Sequence, residues 1–101
     1  MTTMETSTIN IRRQDDQTHG QYIASDESGA HAGKLTWTMR NGVRDADHTI
    51  VAPDMRGKGI AAKLVDSLIR DAREEGFTIM PTCSYVAAQF ERHPEWADLR
   101  V

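Results

Sequence analysis

The sequence predicts an α+β fold in which a mixed, mostly antiparallel sheet of about five strands packs against two helices. Three observations lead to this prediction. Short alternating runs separated by turn residues fill the first half of the chain, a helical period replaces them after Pro53, and a short apolar run follows that helix. A strand, a helix and a strand in succession favour a crossover, so the fourth and fifth strands are expected to be parallel neighbours.

Four strands are expected before the helix, at residues 9–13, 20–25, 32–40 and 43–51. The breaks at residues 26–29 and 41–42 fit hairpin turns, and the second, Asn-Gly, is the strongest short hairpin signal. The third run alternates apolar and polar residues as a half-buried strand requires. Polar residues crowd the first half of the fourth run, so Ile50 and Val51 are expected to be its buried part.

The long helix is predicted from apolar residues that recur on one stripe at positions 61, 64, 65, 68, 69 and 72. Gly76 is placed to end this helix in a left-handed cap. Residues 77–80 have the pattern of a fifth strand, and Ser84 can cap a short helix that ends before Pro94. The pattern of residues 95–101 is ambiguous.

Length and composition narrow the class of protein. The chain has 101 residues, 39% of them hydrophobic, which suits one domain at residues 9–101 after a flexible polar leader at 1–8. Fifteen acidic against twelve basic side chains give a charge of −3, which disfavours a nucleic-acid partner. No apolar stretch approaches the roughly 20 residues that cross a bilayer, and the start lacks a secretion pattern. A soluble, cytoplasmic protein is expected.

The number and spacing of cysteines and histidines argue against disulfide-bonded and metal-binding proteins. A single cysteine, Cys83, allows neither an intrachain disulfide nor a cysteine-cluster metal site. The four histidines lie far apart and no two of them have the spacing of paired ligands, so no metal site is expected.

Residues 56–61, Arg-Gly-Lys-Gly-Ile-Ala, stand between the fourth strand and the long helix. Two glycines in a tight turn at a helix start let backbone N–H groups point at one spot, where the helix dipole adds positive charge. Such a turn binds phosphate, and Arg56 and Lys58 add formal charge beside it. A glycine-rich turn with two solvated cations is the alternative that these residues alone leave open. The segment lacks the Gly-Lys-Ser/Thr of a P-loop and the third glycine of a dinucleotide fingerprint.

This segment resembles the pyrophosphate loop of the GNAT superfamily of N-acetyltransferases, whose pattern is Arg or Gln, two residues, Gly, one residue, then Gly or Ala. Further segments look like those of a small GNAT-like subgroup, the N-acetyltransferase domain-containing proteins, from about residue 20 onward. The residues and segments that carry the resemblance are Arg56, Gly59, Ala61, residues 48–49, 81–85, Phe90 and 93–95.

The resemblance implies a minimal GNAT fold whose fourth and fifth strands splay apart and hold the pantetheine of acetyl-CoA. Ile50 and Val51 would offer backbone groups to pantetheine, and residues 57–61 would supply N–H groups to pyrophosphate. The cofactor-binding residues expected on this basis are Ile50, Val51, Arg56, Gly57, Lys58, Gly59, Ile60, Ala61 and Ser84. Larger members place helices between their first two strands, and residues 14–19 are too few for them. An open acceptor groove is therefore expected.

Two residues are the main candidates for the chemistry. The resemblance places the acyl thioester near Cys83, whose thiol could accept an acetyl group and pass it on; a small packing residue is the alternative. His48, on the same strand face as Ile50, is a candidate base for an ammonium acceptor or for Cys83, or else a structural residue. Asp45 and Asp47 are expected on the opposite face as second choices.

Tyr85 is a candidate acid for the CoA thiolate, although the family's tyrosine lies farther along the helix. The resemblance to GNAT proteins thus implies an N-acetyltransferase that moves acetyl from acetyl-CoA to an amine, directly or through Cys83. The acceptor stays open between a small molecule, a polyamine and a protein amine, and the chain is expected to be a monomer or weak homodimer. A non-catalytic acyl-CoA-binding module is the alternative, favoured by the missing acceptor walls.

Overall fold

A computed structural model describes residues 8–101, so residues 1–7 of the leader predicted at 1–8 lie outside the described residues. The strands are β1 (Asn10–Asp15), β2 (His19–Ser25), β3 (His31–Arg40), β4 (Val43–Val51) and β5 (Thr78–Met80). The helices are α1 (Ile60–Glu75) and α2 (Ser84–Arg92), with 3₁₀ turns at Pro53–Met55 and Pro94–Leu99. The strands follow one another across the sheet in chain order, antiparallel except for the parallel pair β4 and β5. The predicted fold class and crossover are confirmed.

The predicted hairpin turn at residues 41–42 and the predicted helix cap at Gly76 are both confirmed. Asn41 and Gly42 adopt φ values of 52° and 79°, which two-residue hairpins with the favoured twist require. Gly76 ends α1 at φ 81°, and its N–H bonds the carbonyl of Ala72 at 2.9 Å. The 3₁₀ turn at Pro94–Leu99 gives the ambiguous C-terminal segment a structure, and Arg100 then pairs with Ile79 of β5.

The β1–β2 connection is a tight hairpin. The Asp16 carboxylate accepts hydrogen bonds from the backbone N–H groups of Thr18 at 2.8 Å and His19 at 3.0 Å. Only residues 16–18 separate the two strands, so no helix is inserted there. This confirms that the segment has no room for the acceptor-walling helices of larger GNAT proteins.

One extra residue, Asp47, interrupts the pairing of β4 with β3. Trp37 pairs with Ala46, but Thr36 pairs with His48, so Asp47 is a β-bulge between the two pairs. A bulge reverses the alternation of side chains along the rest of its strand. We call the sheet surface that carries Leu35, Trp37 and Ala46 the helix face, because the described helices join those residues in one core; the opposite surface is the open face.

The bulge explains one wrong prediction. Ile50 is 51% exposed on the open face, opposite Lys34, and Val51 is only half-buried. The buried residues of β4 are Arg44 and Ala46, which precede the bulge. The pattern of polar residues predicted that the last residues of β4 are buried. The first half is buried instead, because the charged side chain of Arg44 lies in the core.

Arg44 is held by aromatic rings and one hydroxyl. Its guanidinium carbon lies 4.0 Å from the ring centre of Trp37 and 3.9 Å from that of Phe77. Its Nη1 donates to the Tyr22 hydroxyl at 2.9 Å, and that hydroxyl donates to Asp71 of α1 at 2.6 Å. This chain of contacts joins β2, β4 and α1 inside the core.

The Asp71 carboxylate also receives hydrogen bonds from Arg13 of β1 and from Arg70. Burial pushes its pKa upward, but the bonds from Tyr22 and Arg70 and the nearby guanidinium charges outweigh burial and leave the pKa below its ordinary value. A carboxylate whose pKa is lower in the folded state stabilises the fold above its unfolded pKa, about 3.9, and loses that contribution as pH falls.

We therefore expect Asp71→Asn, which keeps an oxygen for Tyr22 but removes the charge, to lower the free energy of unfolding at pH 7 by about 1.5–3 kcal/mol. The difference from wild type should shrink as the pH falls below about 4, because the unfolded carboxylate takes up a proton there and the native one only at still lower pH. Urea unfolding of both proteins across this pH range measures it. An equal difference at pH 7 and pH 3 would contradict the assignment.

Candidate functional site

The gap between β4 and β5 is the central feature of the candidate site. The two strands pair only between residues 43–45 and 78–80, and Ala46 then accepts a hydrogen bond from the Cys83 N–H at 2.8 Å. Beyond that bond the chain turns into α2, while β4 continues to Val51. Among residues 8–101, the outer edge of β4 past the bulge has no strand beside it.

The register determines which backbone groups face this gap. Ala52 donates its N–H to the carbonyl of Ala32 at 2.9 Å, so by alternation Ile50 also points its backbone groups at β3. Thr49 and Val51 then turn their N–H and C=O groups toward the gap. Val51 is placed as predicted, whereas Ile50 presents only a side chain, on the open face. Thr49 was missed, because the bulge that reverses the parity has no sequence signal of its own.

The glycine-rich turn lies at the far end of the gap. Gly57 and Gly59 have φ values of 81° and 75°, in the left-handed region that glycine favours, and Gly59 is the N-cap residue of α1. A Cβ at either position would meet no atom within 4 Å, so the space in front of both is open. Arg56 and Lys58 are exposed beside it. The turn therefore has the form predicted for an anion site.

A cavity of about 210 Å³ adjoins this turn. Its lining comes from the end of β4, the glycine-rich turn, the first residues of α1 and one residue of α2: Val51, Met55, Arg56, Gly57, Gly59, Ile60, Ala61, Ala62 and Tyr85. Six of the nine predicted cofactor-binding residues line it, and Lys58 lies in the same turn. Ile50 and Ser84 do not line it.

Cys83 lies where the gap closes, at the start of α2. It is the N-cap residue, so Ser84 is the first residue of the helix and does not cap it, contrary to prediction. The Cys83 carbonyl already accepts from the Ala87 N–H at 3.0 Å, which makes Cys83 the residue that begins the helix. Its Sγ donates to Thr49 Oγ1 at 3.4 Å, and the side chain is partly buried.

The second candidate, His48, lies on the open face. It pairs with Thr36, is exposed, and makes no side-chain hydrogen bond within residues 8–101. Its predicted match with the face of Ile50 is confirmed. Thr49, the partner of the Cys83 thiol, is the next residue on the same strand and points the other way, so β4 separates the His48 ring from the Cys83 sulfur.

Asp45 and Asp47 were predicted on the face opposite His48, and this was wrong. Asp45 pairs with Thr38, and Asp47 accepts hydrogen bonds from the hydroxyls of Thr36 and Thr38, which puts both carboxylates on the open face with His48. The bulge again explains the error. Asp45 also accepts from Thr82, so both carboxylates are engaged in hydrogen bonds.

Tyr85, of α2, is half-buried, and its side chain lines the cavity beside the glycine-rich turn. Burial raises the pKa of its phenol, with a smaller opposing influence from Arg92. The group is therefore a neutral hydrogen-bond donor at physiological pH. Its position favours contact with a ligand in the cavity.

Comparison with known proteins agrees with this geometry. Residues 21–99 match the model of a family described as GCN5-related N-acetyl-transferase. The chain belongs to this family. The match begins where the predicted resemblance begins, near residue 20, and it makes the protein an enzyme of the acetyltransferase class.

Solved structures share the fold. A GCN5-like candidate N-acetyltransferase from Staphylococcus aureus is 23% identical, covering 91% of this chain and 89% of its own, with a TM-score of 0.67. Aminoglycoside N-acetyltransferase AAC(6')-Iy, in complex with CoA, is 16% identical over 90% of this chain and 88% of its own, with a TM-score of 0.62. Spermidine/spermine N-acetyltransferase SpeG from Vibrio cholerae is 19% identical over 63% of this chain and 40% of its own, with a TM-score of 0.54.

Two further properties concern the described residues alone. No three His, Cys, Asp or Glu side chains within residues 8–101 come together in a group that could hold a metal ion. Neither α1 nor α2 is long and apolar enough to cross a membrane, and the same holds for the shorter helical turns of the described chain.

Proposed function

We propose that this protein transfers an acetyl group from acetyl-CoA to a primary amine, with the cofactor in the gap between β4 and β5 and the amine arriving at the open face. The observation that supports this best is the gap itself. It runs from the Cys83 thiol to a glycine-rich turn at a helix start, and at Thr49 and Val51 β4 turns toward it backbone groups that no other described strand pairs. Acetyl-CoA supplies the activated thioester.

The turn at residues 56–61 holds the pyrophosphate of the cofactor. The first turn of a helix carries N–H groups without intrahelical partners, and these groups and the helix dipole attract anions. Left-handed Gly57 and Gly59 leave the approach open, since neither has a side chain there. The Tyr85 phenol contacts the pantetheine arm from the other wall of the cavity. We assign Tyr85 to cofactor binding rather than to proton transfer, because its side chain lines the cavity at the glycine-rich turn.

The acetyl end lies where the gap closes, beside Cys83. The thiol is partly buried at this end of the gap and held by its hydrogen bond to Thr49, so its position suits it to accept the acetyl group. The backbone N–H groups of β4 that face the gap are suited to bind the thioester oxygen.

The amine approaches from the open face, because the described helices cover the other one. His48 is exposed there and free of side-chain hydrogen bonds in the described chain, so it can take a proton from an ammonium group. Its position on the far side of β4 favours this role over deprotonation of Cys83. The carboxylates of Asp45 and Asp47 favour a cationic acceptor, the class that the names of AAC(6')-Iy and SpeG give for those proteins.

A second candidate function is binding of acyl-CoA without turnover. The hairpin of β1 and β2 favours it, because no helix walls the acceptor side of the sheet. The two functions share the cofactor site and differ only at the open face. The first experiment below tests the shared site, and the second and third separate the two functions.

Gly59→Glu should weaken CoA binding by about a hundredfold or more, because a carboxylate placed in an anion site costs several kcal/mol. Gly29→Glu is the matched control, since Gly29 also has positive φ, at 88°, and open space around it, in the β2–β3 turn. Both variants should lose similar stability, about 1–2 kcal/mol. Titration calorimetry with CoA measures the affinity. If Gly59→Glu bound CoA with wild-type affinity, the glycine-rich turn would not be part of the cofactor site.

Incubation with acetyl-CoA should leave one acetyl group on the wild-type protein, at Cys83, and none on Cys83→Ala. Intact mass and peptide mapping detect the group, and added spermidine should discharge it. If Cys83→Ala still acetylates spermidine at the wild-type rate, the transfer is direct. If CoA binds but neither the protein nor any amine in a broad panel becomes acetylated, the non-catalytic function replaces the proposal.

His48→Gln should slow amine acetylation by about a hundredfold, the lower range of general base catalysis, and leave CoA affinity unchanged. His31→Gln is the control, because His31 is also an exposed strand residue, at the start of β3. Initial rates with saturating acetyl-CoA make the comparison. Equal rates in the two variants would exclude His48 as the base.

A further inference from the structure

Thr49 is the side-chain partner of the Cys83 thiol, and no role was assigned to it from the sequence. Its Oγ1 lies 3.4 Å from Cys83 Sγ, at the closed end of the gap. The Asp47 bulge places it there, because strict alternation after Ala46 would turn the side chain at position 49 to the open face. The hydroxyl therefore reaches the sulfur only because of the irregularity in β4.

The backbone of Cys83 leaves its sulfur little freedom. The Cys83 N–H is bound to the carbonyl of Ala46 at 2.8 Å, and the Cys83 carbonyl is bound to the N–H of Ala87 at 3.0 Å. With both backbone groups held, the sulfur moves mainly by rotation about the Cα–Cβ bond. The bond to Thr49 selects one of the three staggered orientations.

We propose that Thr49 is a positioning residue that holds the Cys83 sulfur for acyl transfer, a role that rests on the proposed function. In the resting state the S–H group donates to the Thr49 hydroxyl. When the proton leaves, the hydroxyl turns and donates to the anionic sulfur, since a threonine can do both. The attack forms a bond from Cys83 sulfur to the acetyl carbon and breaks the bond from that carbon to the CoA sulfur. The CoA sulfur leaves with the electron pair and takes up the proton that Cys83 released.

The experiment compares Thr49→Val, which keeps the shape but removes the hydroxyl, with Thr49→Ser, which restores a hydroxyl. Thr78→Val is the control, since Thr78 is a half-buried threonine of β5 with no side-chain hydrogen bond in the described chain. Two rates are measured at pH 7: alkylation of Cys83 by iodoacetamide in the protein alone, and formation of acetyl-Cys83 from acetyl-CoA. Thermal unfolding confirms that each variant is folded.

We expect Thr49→Val to lower both rates by about tenfold, the effect of one lost hydrogen bond to a charged group, and Thr49→Ser to recover most of each. Thr78→Val should match wild type. Wild-type alkylation and acetylation in folded Thr49→Val would overturn the proposal, as would a failure of Thr49→Ser to recover either rate. If wild type takes no acetyl group, the covalent branch of the proposed function fails. The alkylation rates then decide alone whether Thr49 controls the thiol.

Discussion

The single inserted residue Asp47 is the constraint on which the candidate site depends. Before it, β4 hydrogen-bonds β5 through alternate residues and buries Arg44 and Ala46 on the helix face. After it, the parity is reversed, and Thr49 and Val51 direct their backbone groups into the gap. The extra residue is also fixed in place, because the hydroxyls of two β3 threonines donate to its carboxylate. The backbone groups that face the gap, the thiol contact and the position of His48 on the open face all follow from this one bulge.

A gap in a small sheet needs support elsewhere, and Arg44 provides it. Burying a guanidinium is costly, and burial lowers the pKa of Arg44. No group of residues 8–101 hydrogen-bonds its buried Nε, yet the planar guanidinium fills the space between two rings and reaches α1 through Tyr22 and Asp71. The paired half of β4 is thereby tied to β2 and to α1. The unpaired half can diverge from β5 without loosening the core.

The sequence was sufficient for features that depend on local chemistry. The Asn-Gly hairpin, the Gly76 cap and the glycine-rich turn are positions where φ is positive, and glycine or asparagine marks such positions. The sheet face on which each β4 side chain lies could not be predicted, because the bulge depends on pairing with β3 and has no signature in the amino-acid sequence. For that reason the faces of Asp45, Asp47 and Thr49 and the exposure of Ile50 were missed. The Ser84 cap was wrong for a similar reason, since the backbone bond from Cys83 to Ala46 decides where α2 begins.

The opposite placement of Cys83 and His48 limits the order in which they can act. The sulfur contacts Thr49 on the helix face, and the imidazole lies on the open face, so β4 lies between them and one proton cannot pass directly from thiol to ring. A thiol that accepts the acetyl group must be held by its own neighbours, and a ring on the open face can serve only what arrives there. In the proposed reaction, Cys83 would therefore accept the acetyl group on one side of β4, and His48 would deprotonate the amine on the other side in a later step. In the proposed reaction, the acetyl carbon at the end of the gap would be reached by the thiol from one side of β4 and by the amine from the other.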